Sequence, residues 1–395
     1  MAPVPRTAPY AGPALLSYGF RPFFLFGALF AGVTVLLWMP VWEGRIAIDT
    51  VFAAVDWHAH ELLFGYVAAV VTGFLLTAIP NWTGRLPLAG TPLLVLVLAW
   101  LAGRLAVAAG GTLGWAVVAV VDVAFLLMVL AAAGREVIAG RNWRNLRVLV
   151  IVAVFAAANI VFHVEAHVRG EAVLGRRLAL AAIVVLIVLI GGRIVPSFTR
   201  NWLVRENPGR LPAPFGRVDA AAIALAVMAL AAWLAAPEGV VTAVLLAASG
   251  LVQAVRLARW AGDRTGRDAL VVILHVGYAF IPLGFLLLAA AAATPLVSPS
   301  AGIHAWTVGA AGVMTLAVMT RATRGHTGRA LEAPASTRAV YVAVVAAAAL
   351  RIAAGLVPDH VTPLLWAAAL AWTAAFLGFC AVYGPMLLRP RLGKG

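Results

Sequence analysis

Residues 57–85 read WHAHELLFGYVAAVVTGFLLTAIPNWTGR. Between Glu61 and Arg85 this stretch holds no charged residue. About 20 apolar residues cross a hydrocarbon core about 30 Å thick as one α-helix, so the stretch predicts a membrane span. The pattern recurs along the whole chain. Of 395 residues 64% are hydrophobic and 11% charged, and the mean hydropathy is +1.00, which excludes a soluble globular protein of this size. A sliding window of about 19 residues places twelve spans, near 22–42, 59–79, 91–109, 113–133, 146–167, 178–196, 218–236, 239–260, 268–292, 301–321, 338–356 and 361–387. The longest connection, about 196–217, is too short for a folded domain. The expected fold is an all-α polytopic membrane protein. Its parts are a flexible cytoplasmic tail at 1–21, a single helical membrane domain at 22–388 and a basic cytoplasmic tail at 389–395.

The net charge of +14 would suit a nucleic-acid partner, but its distribution argues against one. With the N-terminus inside, twenty-three Lys and Arg fall in inner segments and four (Arg45, Arg169, Arg176, Arg177) in outer loops. Arg104 and Arg351 lie within spans. That asymmetry is the positive-inside rule, and it sets both termini in the cytoplasm. The first twenty residues carry Pro3, Pro5, Pro9 and Pro13 and read as a tail rather than a signal peptide. Cys380 is the one cysteine, so metal chemistry in this chain must rest on histidine and oxygen ligands, with methionine as a further donor.

Six of the eight histidines fall on the outer side: His58 and His60 open span 2, His163 and His167 close span 5, His304 opens span 10, and His360 lies in the last outer loop. His275 is inside span 9, and His326 is expected in the inner loop after span 10. His163 and His167, four apart, share a helix face and suit one metal ion; an interfacial pair solvated beside Glu165 and Arg169 is the plainer reading. His58 and His60, two apart on a helix, point roughly 200° apart and suit two separate centres rather than one ion. Glu61, three residues after His58, is placed to orient it, while Asp56 would serve as the helix N-cap.

Asp122 is expected near the middle of span 4, where a charge costs about 2.5–3.5 kcal/mol, with Arg104 or Arg351 as its partner. It is read either as a structural ion pair or as part of a proton route. His275 and Tyr278, three apart, share a face and could serve a cofactor or a proton. Spans 2, 6 and 10 end IPNWTGR, GGRIVPSFTRNW and MTRATRGHTGR, which hints at a repeat every four helices. Their arginines either anchor the topology or bind propionate or lipid head groups.

The runs FRPFFLFGALFAG (20–32), WHAHELLFGYVAAVVTGFLLTAIPNWTGR (57–85), GGRIVPSFTRNWL (191–203), ILHVGYAFIPLGFLLL (273–288) and HAWTVGAAGVMTLAVMTRATRGHTGR (304–329) resemble the NnrS family. The resemblance runs from the first span to the last. It implies a twelve-helix bacterial inner-membrane protein containing haem and copper, associated with denitrification and tolerance of nitric oxide. With one cysteine, such haem (haem b) would be non-covalent and histidine-held, and copper would use imidazoles. On that footing His58 or His60 opposite His304 would hold haem, His275 would be a second axial candidate, and Arg193 and Arg329 would serve propionates. His163 and His167 would hold copper, completed by the remaining histidine of span 2.

By analogy, haem-copper oxidases also use twelve helices in three groups of four, with an HxH serving two centres. Span 6 here, without a histidine, departs from that pattern. The first functional expectation is a haem- and copper-containing protein that binds nitric oxide, and reduces it with electrons from quinol or a periplasmic donor. Asp122, His275 and Tyr278 would then move protons. The second is a twelve-helix transporter or metal-handling protein without redox turnover.

Overall fold

A computed structural model describes residues 10–393; residues 1–9 of the expected tail, Arg6 among them, and Lys394 lie outside the described residues. The described residues are helical with no strand. Twelve helices are long and apolar enough to cross a membrane, which makes this a multi-pass membrane protein. They are α1 (Phe20–Trp42), α2 (Ala54–Thr83), α3 (Thr91–Ala108), α4 (Trp115–Ala139), α5 (Leu146–Arg169), α6 (Val173–Glu206), α7 (Arg217–Ala235), α8 (Val240–Ala258), α9 (Ala269–Ala293), α10 (Pro299–His326), α11 (Ala335–Ala354) and α12 (Val361–Leu388). In lipid every backbone N–H and C=O must be satisfied within the segment, and helices do this without partners.

The helices fall into two compact units. The first holds the chain up to Ala182, with Thr323–Arg329 and the segment from Phe379 onward; the second holds Ile183–Ala322 and Ala330–Gly378. α6, α10 and α12 therefore each contribute to both.

Helix ends differ from the sequence expectation where polar residues continue a helix. α6 has 34 residues, about 51 Å at 1.5 Å per residue, and runs through Pro196 to Glu206. The connection expected at 196–217 shrinks accordingly. His326, expected in a loop, is the last residue of α10. Its ring packs on Tyr18 and Phe20, with centroids 5.5 and 5.4 Å away. Arg21, counted as a topological charge, is buried and donates to the carbonyls of Leu387 (2.8 Å) and Arg389 (2.7 Å) at the end of α12. It thus satisfies acceptors that the helix leaves open.

Asp56 does not cap its own helix. Its carboxylate accepts the N–H of Ala172 at 2.9 Å and the Arg176 guanidinium at 2.8 Å. Glu165 likewise accepts the N–H of Gly175 at 2.9 Å. Carboxylates from α2 and α5 thus hold the start of α6, where exposed N–H groups favour negative charge.

α2 and α10 share a backbone feature that hydropathy does not reveal. Each is α-helical through a histidine and then widens into a π-helical stretch: Glu61–Val67 after His60, and Ala305–Gly312 after His304. Such widened turns are rare and concentrate at functional sites.

Candidate metal centre

In the first unit, four helices bring polar side chains into one dry cluster. His60 is six residues into α2, Arg104 four residues from the end of α3, Asp122 seven residues into α4 and His163 six residues from the end of α5. They lie within about two turns of the same end of the bundle. Asp122 is thus near a helix start, not the middle of its span, because α4 continues to Ala139.

The geometry converges on one oxygen. Asp122 Oδ2 lies 3.1 Å from His60 Nε2, 3.0 Å from His163 Nε2 and 2.8 Å from Asn159 Nδ2. The His60 and His163 rings are 5.0 Å apart at 72°. Arg104 donates one guanidinium nitrogen to Glu61 and the other to Asp122. Phe52, Phe64 and Phe162 pack around the His60 ring with centroids 4.7–5.2 Å away. His60 is 0% exposed.

Glu61, read from its spacing as a partner of His58, is found on His60, with Oε1 3.0 Å from Nδ1. Adjacent residues diverge by about 100° on an α-helix. Here the helix widens at Glu61, and Arg104 draws its carboxylate into the cluster. Gly65, inside the widened stretch, makes room: a Cβ there would stand 2.6 Å from Phe30 and 3.0 Å from the Arg104 Nη1. Gly103 does the same beside Asp122, where a Cβ would meet Oδ1 at 3.1 Å.

Hydrogen-bond chemistry shows what the cluster lacks. Both His60 nitrogens face carboxylate oxygens, and Asn159 Oδ1 lies 3.2 Å from Nε2, so only acceptors surround the ring. His163 Nδ1 and Arg104 Nε are buried with no hydrogen-bond partner among the described residues. Two carboxylates face one guanidinium, so with both imidazoles neutral one negative charge remains, which a second proton on His60 or a bound metal ion would balance. His60, Asp122 and His163 offer ligand atoms all within 4.8 Å of one another. Their 3.0–3.1 Å spacings approach the edge, about 3.3 Å, of a tetrahedron with bonds of 2.0–2.1 Å. With a metal on the first nitrogen of His60, Glu61 on the second would complete a carboxylate–histidine–metal arrangement.

The other expected site residues are placed elsewhere. His167 does not join His163; its ring stacks on Trp115 at 4.2 Å and 10°. His58 stacks on Trp38 at 4.4 Å and 20°. In the second unit, His304 Nδ1 lies 2.7 Å from the Ser300 carbonyl, which fixes the proton on that nitrogen, and Arg351 binds Ser300 Oγ at 3.0 Å. Arg351 is therefore tied to Ser300, and the partner of Asp122 is Arg104. His275 Nε2 meets Thr199 Oγ1 at 2.8 Å, and its ring lies against Gly262. Arg193 is exposed on α6, and Arg329 reaches the Thr327 carbonyl at 3.5 Å. His360 ends a short exposed turn, Pro358–His360.

Tyr278 belongs to a second buried network, which the sequence did not suggest. Arg256 donates to Asp219 Oδ1 (3.0 Å), the Val188 carbonyl (2.9 Å) and Tyr278 Oη (2.9 Å). Tyr278 donates to Gln253 (2.7 Å), whose amide donates to the Ala222 carbonyl (2.9 Å). Gly191 and Gly192 of the GGRIVPSFTRNW run let Tyr278 and the Arg256 guanidinium lie against α6. Packing thus explains the glycines of that motif.

None of the curated proteins matches the chain. The family model described as NnrS protein matches residues 14–391, and the chain belongs to the NnrS family.

Proposed function

From that membership we propose a haem- and copper-containing protein of the bacterial inner membrane that binds nitric oxide as part of its detoxification. The observation that carries the reading is the buried His60–Asp122–His163 group, whose ligand atoms all lie within 4.8 Å of one another and which keeps one net negative charge when its imidazoles are neutral. Copper accepts imidazole and carboxylate ligands, and when bound it would offer an open coordination position to a small ligand. Within this chain Glu61 holds the His60 ring, Arg104 holds Glu61 and Asp122, and Phe52, Phe64 and Phe162 exclude water. For haem, His304 fits an axial role. Its Nδ1–H is committed to the Ser300 carbonyl, so Nε2 carries the lone pair a ligand needs. Reduction of nitric oxide with quinol or periplasmic electrons, and a metal centre toward the periplasm, belong to the same proposal.

The test is metal analysis and an absorption spectrum of the detergent-purified protein after expression with iron and copper. Copper near one equivalent, lost in His163→Ala while the protein stays monodisperse, supports the assignment. Copper retained in that variant refutes it. A Soret band that His304→Ala leaves unchanged removes that residue as haem ligand. Anaerobic nitric oxide electrode traces with a reductant separate binding from turnover.

A further inference from the structure

We propose that Arg104 sets the charge of the ion this centre accepts, favouring a singly charged metal ion over a bare divalent one; the inference rests on the metal reading above. Glu61, Asp122 and Arg104 together carry one net negative charge, and His60, His163 and Asn159 add none when the imidazoles are neutral. A monovalent ion brings the buried cluster to neutrality. A divalent ion leaves it at plus one unless hydroxide or another anion enters with it. An uncompensated charge is strongly unfavourable in a water-excluded interior. Without Arg104 the balance reverses, because two carboxylates then match two positive charges.

Arg104 is built into this role. It is 5% exposed. One guanidinium nitrogen holds the carboxylate that orients His60, and the other holds the carboxylate that offers a ligand oxygen. Its carbon lies 5.9 Å from the Phe30 ring centroid, and Gly65 leaves space for it. A planar, permanently charged fork suits that double contact. Arg104 does not donate to either imidazole; it is a positioning and charge-setting residue. Among ions that imidazole binds, the singly charged candidate is cuprous copper.

The experiment compares binding of Cu(I) and Zn(II) by the purified full-length protein in detergent, under anaerobic conditions, by competition with chelators. Arg104→Gln should raise zinc affinity relative to Cu(I) by about tenfold or more, and Glu61→Gln should lower it by a similar factor. Arg104→Lys, which keeps the charge, should leave the ratio within about threefold of wild type. A merely structural role would not move the two glutamine variants in opposite directions. Shifts in the same direction, or unchanged ratios, overturn the inference while leaving the metal site intact. Should Arg104→Gln not fold, the Glu61→Gln shift decides alone. Neither ion binding to wild type, or His163→Ala binding both as wild type does, refutes the metal reading and this inference with it.

Discussion

Two buried polar networks, one in each unit, are built from similar parts and end in different states. Around Arg256 the Asp219 carboxylate meets the buried Arg256 guanidinium at 3.0 Å and the partly exposed Arg259 at 3.5 Å, and the donors of Tyr278 and Gln253 pass on to an acceptor. The buried carboxylate is fully paired, and the chain of hydrogen bonds terminates on a backbone carbonyl. Around Arg104 two carboxylates meet one guanidinium, two imidazoles crowd the same oxygen, and His163 Nδ1 has no partner among the described residues. The first, closed network ties helices together through a paired carboxylate, whereas the second leaves a carboxylate in excess of its guanidinium. Burial and charge alone do not tell the two apart; the unmatched remainder does.

The largest expected effect lies in the closed network. Arg256→Met leaves Asp219 buried without its main partner and should cost about 3–5 kcal/mol of stability, while the double variant Arg256→Met/Asp219→Leu recovers most of it. Thermal unfolding in detergent, followed by tryptophan fluorescence, checks both. Copper per folded molecule should not change, and its loss would erase the distinction between the networks. Next comes Asp122→Asn, which should weaken copper binding more than about 100-fold, or about 2.8 kcal/mol at 1.4 kcal/mol per tenfold. Chelator competition measures it.

Tyr278→Phe should cost about 1–2 kcal/mol, since it removes one donor and one acceptor from a satisfied chain. A loss of copper or haem in the same variant would instead return Tyr278 to the cofactor role that its spacing from His275 suggests. The smallest effect belongs to His167→Ala. Losing a stack on Trp115 should cost about 0.5–1.5 kcal/mol and leave copper content unchanged. Reduced copper there would restore the pairing of His163 with His167.

Long apolar runs made the twelve helices legible, because lipid imposes a length and a polarity that any window detects. Histidines at the expected outer ends of spans 2, 5 and 10 are legible for the same reason, and of these the first unit brings His60 and His163 together. The closed network was not legible. Arg256 and Asp219 sit near the ends of the spans 239–260 and 218–236, where a charge reads as a topological anchor, yet both are buried. Asn159 carries no charge and passes unnoticed within a run such as AAANIVFH. The pairing of His163 with His60 depends on which helices touch, and helical spacing speaks only for residues on the same helix. The contact of Glu61 with its immediate neighbour depends on a widened turn that no apolar period records.

That widened turn in α2 has a consequence for how the protein can vary. A π stretch amounts to one extra residue in an α-helix, so residues before and after it stand in registers about 100° apart. Deleting one residue between Glu61 and Val67 would keep the span long enough for the bilayer. It would also rotate His60 away from Asp122, or the remainder of the helix away from its packing. The insertion works as a gear between two halves of one helix, one indexed to the buried polar centre and the other to the apolar contacts below it.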